Sequence, residues 1–474
     1  MSAAEPSAAL TPASRLLRPA DAVVARRHAS PVRWATLCAD AADLVRRLGP
    51  GGPVLNLGRD RYTFTVGLLA AAACERVTLM PAQRSAAAFA ALRSEPAAGG
   101  GEPCALVDGD EPSLAPGWPR VPILQPSGPS PRVAPPADAL LEWTLPGDAQ
   151  AIALVFTSGS TGRPVPHLKR WSALRDAVLA GLARFGACDA ATPAPTLVGT
   201  VPAQHMYGLE STVLLPLLGG GALVAERPLF PADVAAALAA VPAPRWLVTT
   251  PFHLRTLLDA DLPLPPVDRV LSATAPLSAA LAERAEARLG ARLVEIYGCT
   301  ETGQIASREP VRERWFGTLD GVTLHAGPHG WCAAGGHVAG RVALADAIEL
   351  RDAGHFAVLG RMGDLVNVAG KRSTLGFLDQ QLLAVPGVID GAFFVAEAGG
   401  AAEADGGVCR LGALVVAPTL DAASLRRALS ERIDPAFLPR PLRFVEALPR
   451  NATGKLTQAA LRALLAGGAS RTRP

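Results

Sequence analysis

Lysine is almost missing from this chain. Only three of its 45 basic residues are lysines, so arginine supplies the other 42. Arginine presents a planar fork of donors, whereas lysine is a compact charge on a flexible stem that reaches a single oxygen. The surviving lysines therefore indicate positions that need a point charge, namely Lys169, Lys371 and Lys455. Chance survival is the alternative at each position, so each lysine needs support from its neighbours.

Other absences narrow the class of protein. The seven cysteines include no Cys-x-x-Cys pair, which predicts neither a zinc site nor a disulfide framework and favours reduced thiols. The most apolar run, residues 64–74, is too short to cross a bilayer, and the first residues lack the apolar core of a signal peptide. A net charge of +3 with scattered arginines argues against nucleic-acid binding. We therefore expect a cytoplasmic protein with no membrane span and no nucleic-acid partner.

The composition is that of a globular chain with a large core, since 49% of its 474 residues are hydrophobic and 18% are charged. Apolar strands alternate with Ala- and Leu-rich helices, which predicts an α/β fold with parallel sheets covered by helices. The predicted strands are 53–57, 76–80, 151–156, 196–202, 245–250, 292–297 and 409–416. The predicted helices are 33–48, 84–94, 172–185, 231–241, 277–289, 375–385 and 421–432.

A change in the length of the predicted strands indicates the domain boundary. After about Gly335 the strands become short, and the tetrapeptide at 360–363, Gly-Arg-Met-Gly, opens a new unit. We therefore predict a large domain over 1–360 and a small α+β domain over 361–474.

The first motif with chemistry follows the strand at 151–156. It reads Thr157-Ser158-Gly159-Ser160-Thr161-Gly162. Backbone N–H groups in a glycine-rich turn, together with four hydroxyls, suit the oxygens of a polyphosphate. The motif is not the GxxxxGK[ST] loop of P-loop NTPases, because no Lys-Ser/Thr follows at that spacing. Taken alone, it fits an ordinary Ser/Gly-rich turn about as well.

Further motifs follow along the chain. They are His205-Met-Tyr-Gly208, Ser272-Ala273-Thr274-Ala275-Pro-Leu277, Tyr297-Gly298-Cys-Thr300-Glu301, Asp346 ahead of Gly354–Arg361, and Gly454-Lys455. Together with residues 157–162, in this order, they resemble the motifs of the adenylate-forming superfamily, which comprises acyl-CoA synthetases, peptide-synthetase adenylation domains and luciferases. The resemblance spans residues 155–455 or thereabouts. It implies the fold of that superfamily, with a large N-terminal domain of helix-covered sheets and a small mobile C-terminal domain. It also implies that ATP and Mg²⁺ are used to turn a carboxylic acid into an acyl-adenylate.

By this resemblance, residues 157–162 hold the leaving pyrophosphate, and Thr161 joins Glu301 as a ligand of Mg²⁺. Thr300 contacts the α-phosphate, and Lys455 bridges that phosphate and the acyl carboxylate. The remaining nucleotide-binding residues are Ala273, Thr274 and Ala275 at the adenine, Tyr297 and Gly298 beside them, and Asp346 with Arg361 at the ribose. His205 gates the acyl pocket.

Structural alternatives stand beside these roles. Glu301 could instead stabilise a helix N-terminus, and His205 could be a buried core histidine. Asp346 could be a loop carboxylate, because Leu344-Ala345 replaces the usual Thr-Gly before it. Glu210 could face the acyl site or cap a helix.

The clearest departure from the family pattern follows the phosphate loop. The family closes this loop with Pro-Lys, whereas this chain continues from Pro164 with Val-Pro-His-Leu-Lys, ending at Lys169. Pro166 excludes a helix start in the usual register. Either Lys169 reaches back to the phosphates, or His167 or Arg163 takes over that role. A surface position for Lys169 is the alternative.

In the acyl-CoA synthetases of this superfamily the acyl group is then transferred from the adenylate to a thiol. By the same resemblance, Asp364 is the hinge of the small domain, helped by Gly363, and the loop around Lys371 lines a pantetheine tunnel. A solvated turn is the alternative for Lys371. No cysteine has a His or Asp partner at motif spacing, so we expect an external thiol, either coenzyme A or the phosphopantetheine arm of a carrier protein.

The particular residues of these motifs resemble those of the compact ligases of aryl-polyene and xanthomonadin-type pigment clusters. That resemblance implies a hydroxybenzoate-type aryl acid and an acyl carrier protein as partner. A fatty or short-chain acyl-CoA synthetase is one alternative. A non-catalytic module that binds an adenylate or a carrier protein is another.

Overall fold

The computed structural model describes most of the chain, in ranges separated by short gaps. These ranges are 15–81, 83–93, 95, 100–124, 135–158, 164–186, 193–328, 330–368, 371–396, 410–450, 456 and 458–466. The chain divides into two compact units. The first comprises 1–182, 187–197 and 203–227, and the second comprises 183–186, 198–202 and 228–474. This division differs from the predicted one, and the boundary at residue 361 stays a prediction.

The first unit contains twelve strands and six helices among its described residues. They are β1 Arg15–Pro19, β2 Val23–Arg27, β3 Ser30–Arg33, α1 Trp34–Leu48, β4 Val54–Asn56, α2 Arg61–Ala73, β5 Thr78–Met80, α3 Ala86–Leu92, β6 Cys104–Val107, β7 Arg120–Pro122, β8 Leu140–Thr144, β9 Ala151–Ser158, β10 Pro164–Arg170, α4 Trp171–Phe185 (to Leu182 here), β11 Thr196–Gly199 (Thr196 and Leu197 here), α5 Met206–Gly208, α6 Leu215–Leu218 and β12 Ala222–Val224. A π-helix, Leu209–Leu214, joins α5 to α6.

One sheet of this unit carries the predicted phosphate loop. Its order is β10-β9-β5-β4-β6-β7, and every strand except β10 runs parallel to its neighbour. Helix α2 is buried on nearly all sides, as expected of a helix that is apolar all round. Asp60 caps its N-terminus, accepting a hydrogen bond of 2.7 Å from the Thr63 amide. The sequence indicated only an apolar run here, because such a helix has no polar face to reveal its period.

Buried arginines support the ends of elements in the first unit. Arg18 is 8% exposed and donates to three backbone carbonyls, those of Pro216, Leu217 and Gly221. Arg76 is also buried and donates to the carbonyls of Leu48 and Gly52. A guanidinium can satisfy several carbonyl groups at once, which a lysine ammonium on a flexible stem does less well.

The second unit contains parallel strands first and antiparallel strands afterwards. Its elements are α7 Pro231–Ala239, β13 Arg245–Thr249, α8 Pro251–Asp259, β14 Arg269–Ser272, α9 Ala279–Leu289, β15 Arg292–Cys299, β16 Gly303–Arg308, β17 Phe316–Thr318, β18 Thr323–Gly327, β19 Gly330–Gly335, β20 Val338–Ala343, β21 Asp346–Asp352, β22 His355–Arg361, β23 Leu365–Val368, β24 Lys371–Thr374, α10 Leu375–Leu383, β25 Asp390–Ala396, β26 Arg410–Val416, α11 Ala422–Ser430, β27 Leu442–Phe444 and α12 Gln458–Ala466. The described residues of this unit also include two 3-10 turns, Met362–Asp364 and Pro435–Phe437.

Strands β13, β14 and β15 are parallel, and β16, β17, β22 and β21 extend the same sheet in antiparallel fashion. Among these strands antiparallel pairing begins where β16 pairs with β15. Residues from Val366 to Leu461 form apolar cores of their own around β25, β26, α10 and α11.

The predicted fold class is confirmed, since the chain is α/β with a large sheet-rich N-terminal part and a smaller C-terminal part. Each predicted helix is present with ends within two residues of the prediction. Helices α2, α5, α6, α8 and α12 were not predicted. No helix within the described ranges has the length and apolar character needed to span a bilayer.

Candidate active site

Strands β9 and β10 flank the predicted phosphate loop in the first unit. Ser158 is paired with Pro164 and Thr157 with Val165, so the two strands form a hairpin around it. Residues Gly159, Ser160, Thr161, Gly162 and Arg163 lie outside the described residues. The chain leaves this loop as an edge strand, where prolines are tolerated because an edge has amide positions that need no ladder partner.

His167 and Lys169 both lie on β10. The Nε2 atom of His167 is 3.1 Å from the Thr157 Oγ1. Lys169 is 6% exposed and stands opposite Ala153. A surface position for Lys169 is therefore wrong, while its predicted phosphate contact stays a prediction.

The predicted acyl-pocket gate lies on an unusual helix in the first unit. His205 is the residue before α5 and is partly buried, and the π-helix Leu209–Leu214 follows directly. Glu210 is buried within that π-helix. π-helical turns are rare, and those that exist occur often at functional sites. This segment therefore supports the functional role predicted for the adjoining His205.

The Tyr-Gly-Cys-Thr-Glu motif forms the tip of a β-hairpin in the second unit. Tyr297, Gly298 and Cys299 end β15, and Thr300 and Glu301 stand in the turn before β16. A Cβ at Gly298 would lie 2.1 Å from the facing carbonyl oxygen of Gly303, so only glycine fits there. Glu301 is exposed at this tip. The alternative that Glu301 stabilises a helix N-terminus is therefore wrong.

Tyr297 connects this hairpin to Asp346. Its hydroxyl donates a hydrogen bond of 2.7 Å to the Asp346 Oδ2, although their strands are not neighbours. The tyrosine ring is fixed by contacts with Phe316 and Phe356, whose ring centroids lie 5.6 and 5.3 Å away. Burial, and then the charge of Asp346, raise the pKa of the Tyr297 hydroxyl, so it remains a donor.

Asp346 is the first residue of β21 and is paired with Arg361, the last residue of β22. It is therefore part of a strand, and the alternative that it is an unattached loop carboxylate is wrong. The two residues predicted to bind ribose stand directly opposite each other.

The predicted adenine segment follows β14. Ala273 is buried, Thr274 is partly buried, and Ala275 is exposed. Thr274 has a φ of 79°, a conformation that is costly for a β-branched residue and that concentrates at functional sites. The structure thus supplies a backbone signal at one of the predicted residues.

A buried carboxylate that the sequence analysis missed supports this segment. Glu295 accepts a hydrogen bond of 2.9 Å from the Leu277 amide and pairs with Arg308, at 2.6 Å. Burial raises the pKa of the Glu295 carboxyl, and the charge of Arg308 offsets part of this. The available signal was an acidic residue inside the apolar strand that leads to Tyr297.

The predicted small-domain residues are placed as follows. Lys371 begins β24 and forms an ion pair with Asp434. Asp364 ends a 3-10 turn, and burial raises the pKa of its carboxyl, with a partial offset from Arg361. Lys455 lies outside the described residues, whereas Leu456 beside it forms a backbone bridge with Arg450.

The donor set fits a nucleotide with its magnesium. Across the ranges that the structure describes, no group of three or more His, Cys, Asp or Glu side chains is arranged to hold a metal ion. Mg²⁺ usually keeps several waters and is bound through one or two carboxylates plus substrate phosphates. The exposed carboxylate of Glu301 meets that requirement, and Asp346 with Arg361 offers an acceptor and a donor side by side.

The exposed Glu301 and the Tyr297–Asp346 hydrogen bond are consistent with the nucleotide-binding site predicted from the sequence, and comparison with known proteins identifies the family. The chain belongs to the AMP-binding enzyme family, whose model matches residues 106–326. It is 32% identical over 321 residues to a 4-coumarate–CoA ligase of Rhodobacter capsulatus, a match covering 64% of this chain and 74% of the relative. It is 29% identical over 313 residues to a 4-coumarate–CoA ligase of Halorhodospira halophila, covering 63% and 73%.

Solved structures show the same fold. The o-succinylbenzoate CoA synthetase of Bacillus subtilis, in complex with an acyl-adenylate intermediate, superposes with a TM-score of 0.74 at 16% identity. That match covers 94% of this chain and 98% of the other. The chain is an AMP-forming acid–thiol ligase, so the predicted superfamily and enzyme class are confirmed and the non-catalytic alternative is wrong.

Proposed function

We propose that this ligase adenylates a hydroxybenzoate-type aryl acid with ATP and Mg²⁺ and passes the acyl group to a phosphopantetheine thiol. The acceptor is an acyl carrier protein or coenzyme A. The main supporting observation is the hydrogen bond from the Tyr297 hydroxyl to the Asp346 carboxylate. It connects the hairpin that carries Glu301, the proposed Mg²⁺ ligand, to Asp346, the proposed acceptor for the ribose hydroxyls. The aryl acid is supported by the relatives, which include a 4-chlorobenzoate–CoA ligase of Arthrobacter at 26% identity.

ATP supplies a good leaving group for a carboxylate that is otherwise a poor acyl donor. The residues of the chain orient it and stabilise the charge that develops on the α-phosphate. Glu301 would hold Mg²⁺, Thr300 would donate to the α-phosphate, and Lys455 would contact that phosphate and the acyl carboxylate. Asp346 would accept from the ribose hydroxyls.

The proposal includes a small mobile domain over 361–474 that turns about Asp364. The apolar cores formed by residues from Val366 to Leu461 support an independent unit there. Arg255 of α8 donates to the Leu383 carbonyl at 3.0 Å, and the Arg450 guanidinium lies 5.6 Å from the centre of the Phe252 ring. These contacts cross the proposed boundary and would break when the domain turns, bringing the loop around Lys371 to the thiol.

A pyrophosphate-release assay across hydroxybenzoates, cinnamates and aliphatic acids tests the proposal, with coenzyme A and a carrier protein offered in turn. We expect the wild type to adenylate aryl acids. In Lys455→Ala adenylation should be at least 100-fold slower, because the variant loses a preorganised charge that stabilises the transition state. Removing a comparable group lowers kcat by a factor of about 10²–10³. Faster turnover of aliphatic acids with coenzyme A would instead establish the fatty or short-chain synthetase. Unchanged activity in Lys455→Ala would refute the assigned role of that lysine.

A further inference from the structure

His167 lies beside the flank of the predicted phosphate loop, and the sequence left open whether it, Lys169 or Arg163 contacts the phosphates. Its Nε2 is 3.1 Å from the Oγ1 of Thr157, the penultimate residue of β9. In an antiparallel pair, residues directly opposite each other share a face of the sheet. Because Val155 is opposite His167 and Val165 is opposite Thr157, the imidazole and the threonine hydroxyl lie on one face.

Lys169 shares this face but is placed deeper in the sheet. It stands opposite Ala153, four residues from Thr157 along β9, which is roughly 13 Å at the ordinary strand rise. Its side chain is buried, at 6% exposure. The imidazole of His167 already reaches Thr157, whereas Lys169 is buried beside the middle of the strand.

We propose that His167 binds the polyphosphate of the nucleotide, donating from its imidazolium to an oxygen of the triphosphate or of the leaving pyrophosphate beside Thr157. It thereby supplies the positive charge that a Pro-Lys pair would otherwise bring to this loop. This inference depends on the proposed function, since it assigns one more ligand-contacting residue to the same reaction.

The charge of a histidine depends on pH near neutrality, so the proposed contact carries a pH signature. Strand β5 and helix α2 pack against this strand pair. Strands β9 and β5 contain no titratable residue, and Lys169 is the charged group on the same face of β10. On α2, Arg61 donates to backbone carbonyls and the Tyr62 hydroxyl to Asp40.

The sign of the effect follows from linkage. A bound polyphosphate favours the charged imidazole and raises its pKa above the ordinary value of about 6.5. The added affinity is therefore fully present below the pKa of the free enzyme. It is lost as pH rises through the pKa of the complex.

Calorimetric titration of the full chain with magnesium pyrophosphate and with ATP tests this, at about pH 6 and about pH 8.5, on either side of the ordinary imidazole pKa. In His167→Gln, which keeps an amide donor but carries no charge, we expect Kd to rise about 10-fold at the lower pH and about 2-fold at the higher. His167→Lys should keep tight binding at both values. Equal Kd values for wild type and His167→Gln at both pH values would overturn the inference.

The second unit provides a matched control. His325 makes the same type of contact, with its Nε2 3.0 Å from the Thr323 Oγ1, on an exposed strand. His325→Gln should bind pyrophosphate like wild type at both pH values. If Lys169→Met loses affinity and His167→Gln does not, Lys169 is the phosphate residue and the inference fails.

Folding of each variant is checked by circular dichroism. If His167→Gln does not fold, the comparison rests on wild type and His167→Lys. Wild type must then lose pyrophosphate affinity from the lower to the higher pH while His167→Lys does not, and equal losses in the two proteins would overturn the inference.

The role of His167 and the proposed function can fail independently of each other. Wild type that binds pyrophosphate with this pH signature but forms no acyl-adenylate would uphold the role of His167 and refute the function. Wild type that forms acyl-adenylate without the signature would do the reverse.

Discussion

Replacing Tyr297 by phenylalanine isolates the hydrogen bond on which the proposed nucleotide site depends. The variant removes the hydroxyl that donates to Asp346 at 2.7 Å and keeps the ring that packs against Phe316 and Phe356. A hydrogen bond to a charged acceptor contributes about 1.5–3 kcal/mol. If the whole loss falls on the ATP complex, KM for ATP rises by between about 10-fold and about 150-fold. Water can replace part of the lost bond, so we expect a value near the lower end.

The assay compares ATP with 2′-deoxy-ATP in acid-dependent pyrophosphate exchange. Wild type should prefer ATP, because Asp346 would accept from both ribose hydroxyls, and Tyr297→Phe should narrow that preference as the carboxylate loses its fixed orientation. Tyr62→Phe is the matched control, since it removes a similar buried bond, from Tyr62 to Asp40 at 2.5 Å. It should lower stability without changing the preference. A Tyr297→Phe enzyme with the KM and preference of wild type would refute ribose binding by Asp346.

Three further substitutions test other buried or tightly packed positions of the second unit. Gly298→Ala places a Cβ 2.1 Å from a backbone oxygen and should abolish adenylation in the pyrophosphate assay, whereas Gly376→Ala, which meets nothing within 4 Å, should not. Glu295→Ala removes the buried carboxylate that pairs with the partly buried Arg308 and should lower the free energy of unfolding by about 1.5–3 kcal/mol in urea titrations; a loss below about 0.5 kcal/mol would contradict a stabilising pair. Burial raises the pKa of Asp379 to about 7, so its contribution to stability is present at low pH and lost as pH rises towards 7. Asp379→Asn should therefore flatten the fall of the urea midpoint between about pH 4 and about pH 8, and an unchanged slope would contradict the burial argument.

The elements with a clear period were predictable from the sequence. Helix α1 has an apolar stripe facing the core and basic residues in its last turn, and its ends match the prediction within one residue. Helix α2 was missed because its buried faces surround it. Strand β10 was missed because two prolines in seven residues argue against a strand unless its edge position is known.

The candidate site was predictable as a set of motifs but not as a set of contacts. The motif containing Tyr297 was recognised, yet its bond to Asp346 joins residues 49 positions apart and depends on how the antiparallel strands fold back. The role of Glu295 likewise depends on two partners that only the sheet brings to it. Local patterns carry no information on such pairings.

The scarcity of lysine has a practical consequence for labelling. In the part of the chain that the structure describes, Lys169 is 6% exposed, whereas the side chain of Lys371 is 55% exposed. An amine-reactive fluorophore should therefore attach at Lys371 far faster than at Lys169. A dye at that position would report on the surroundings of Lys371, with two other lysines rather than dozens as competitors.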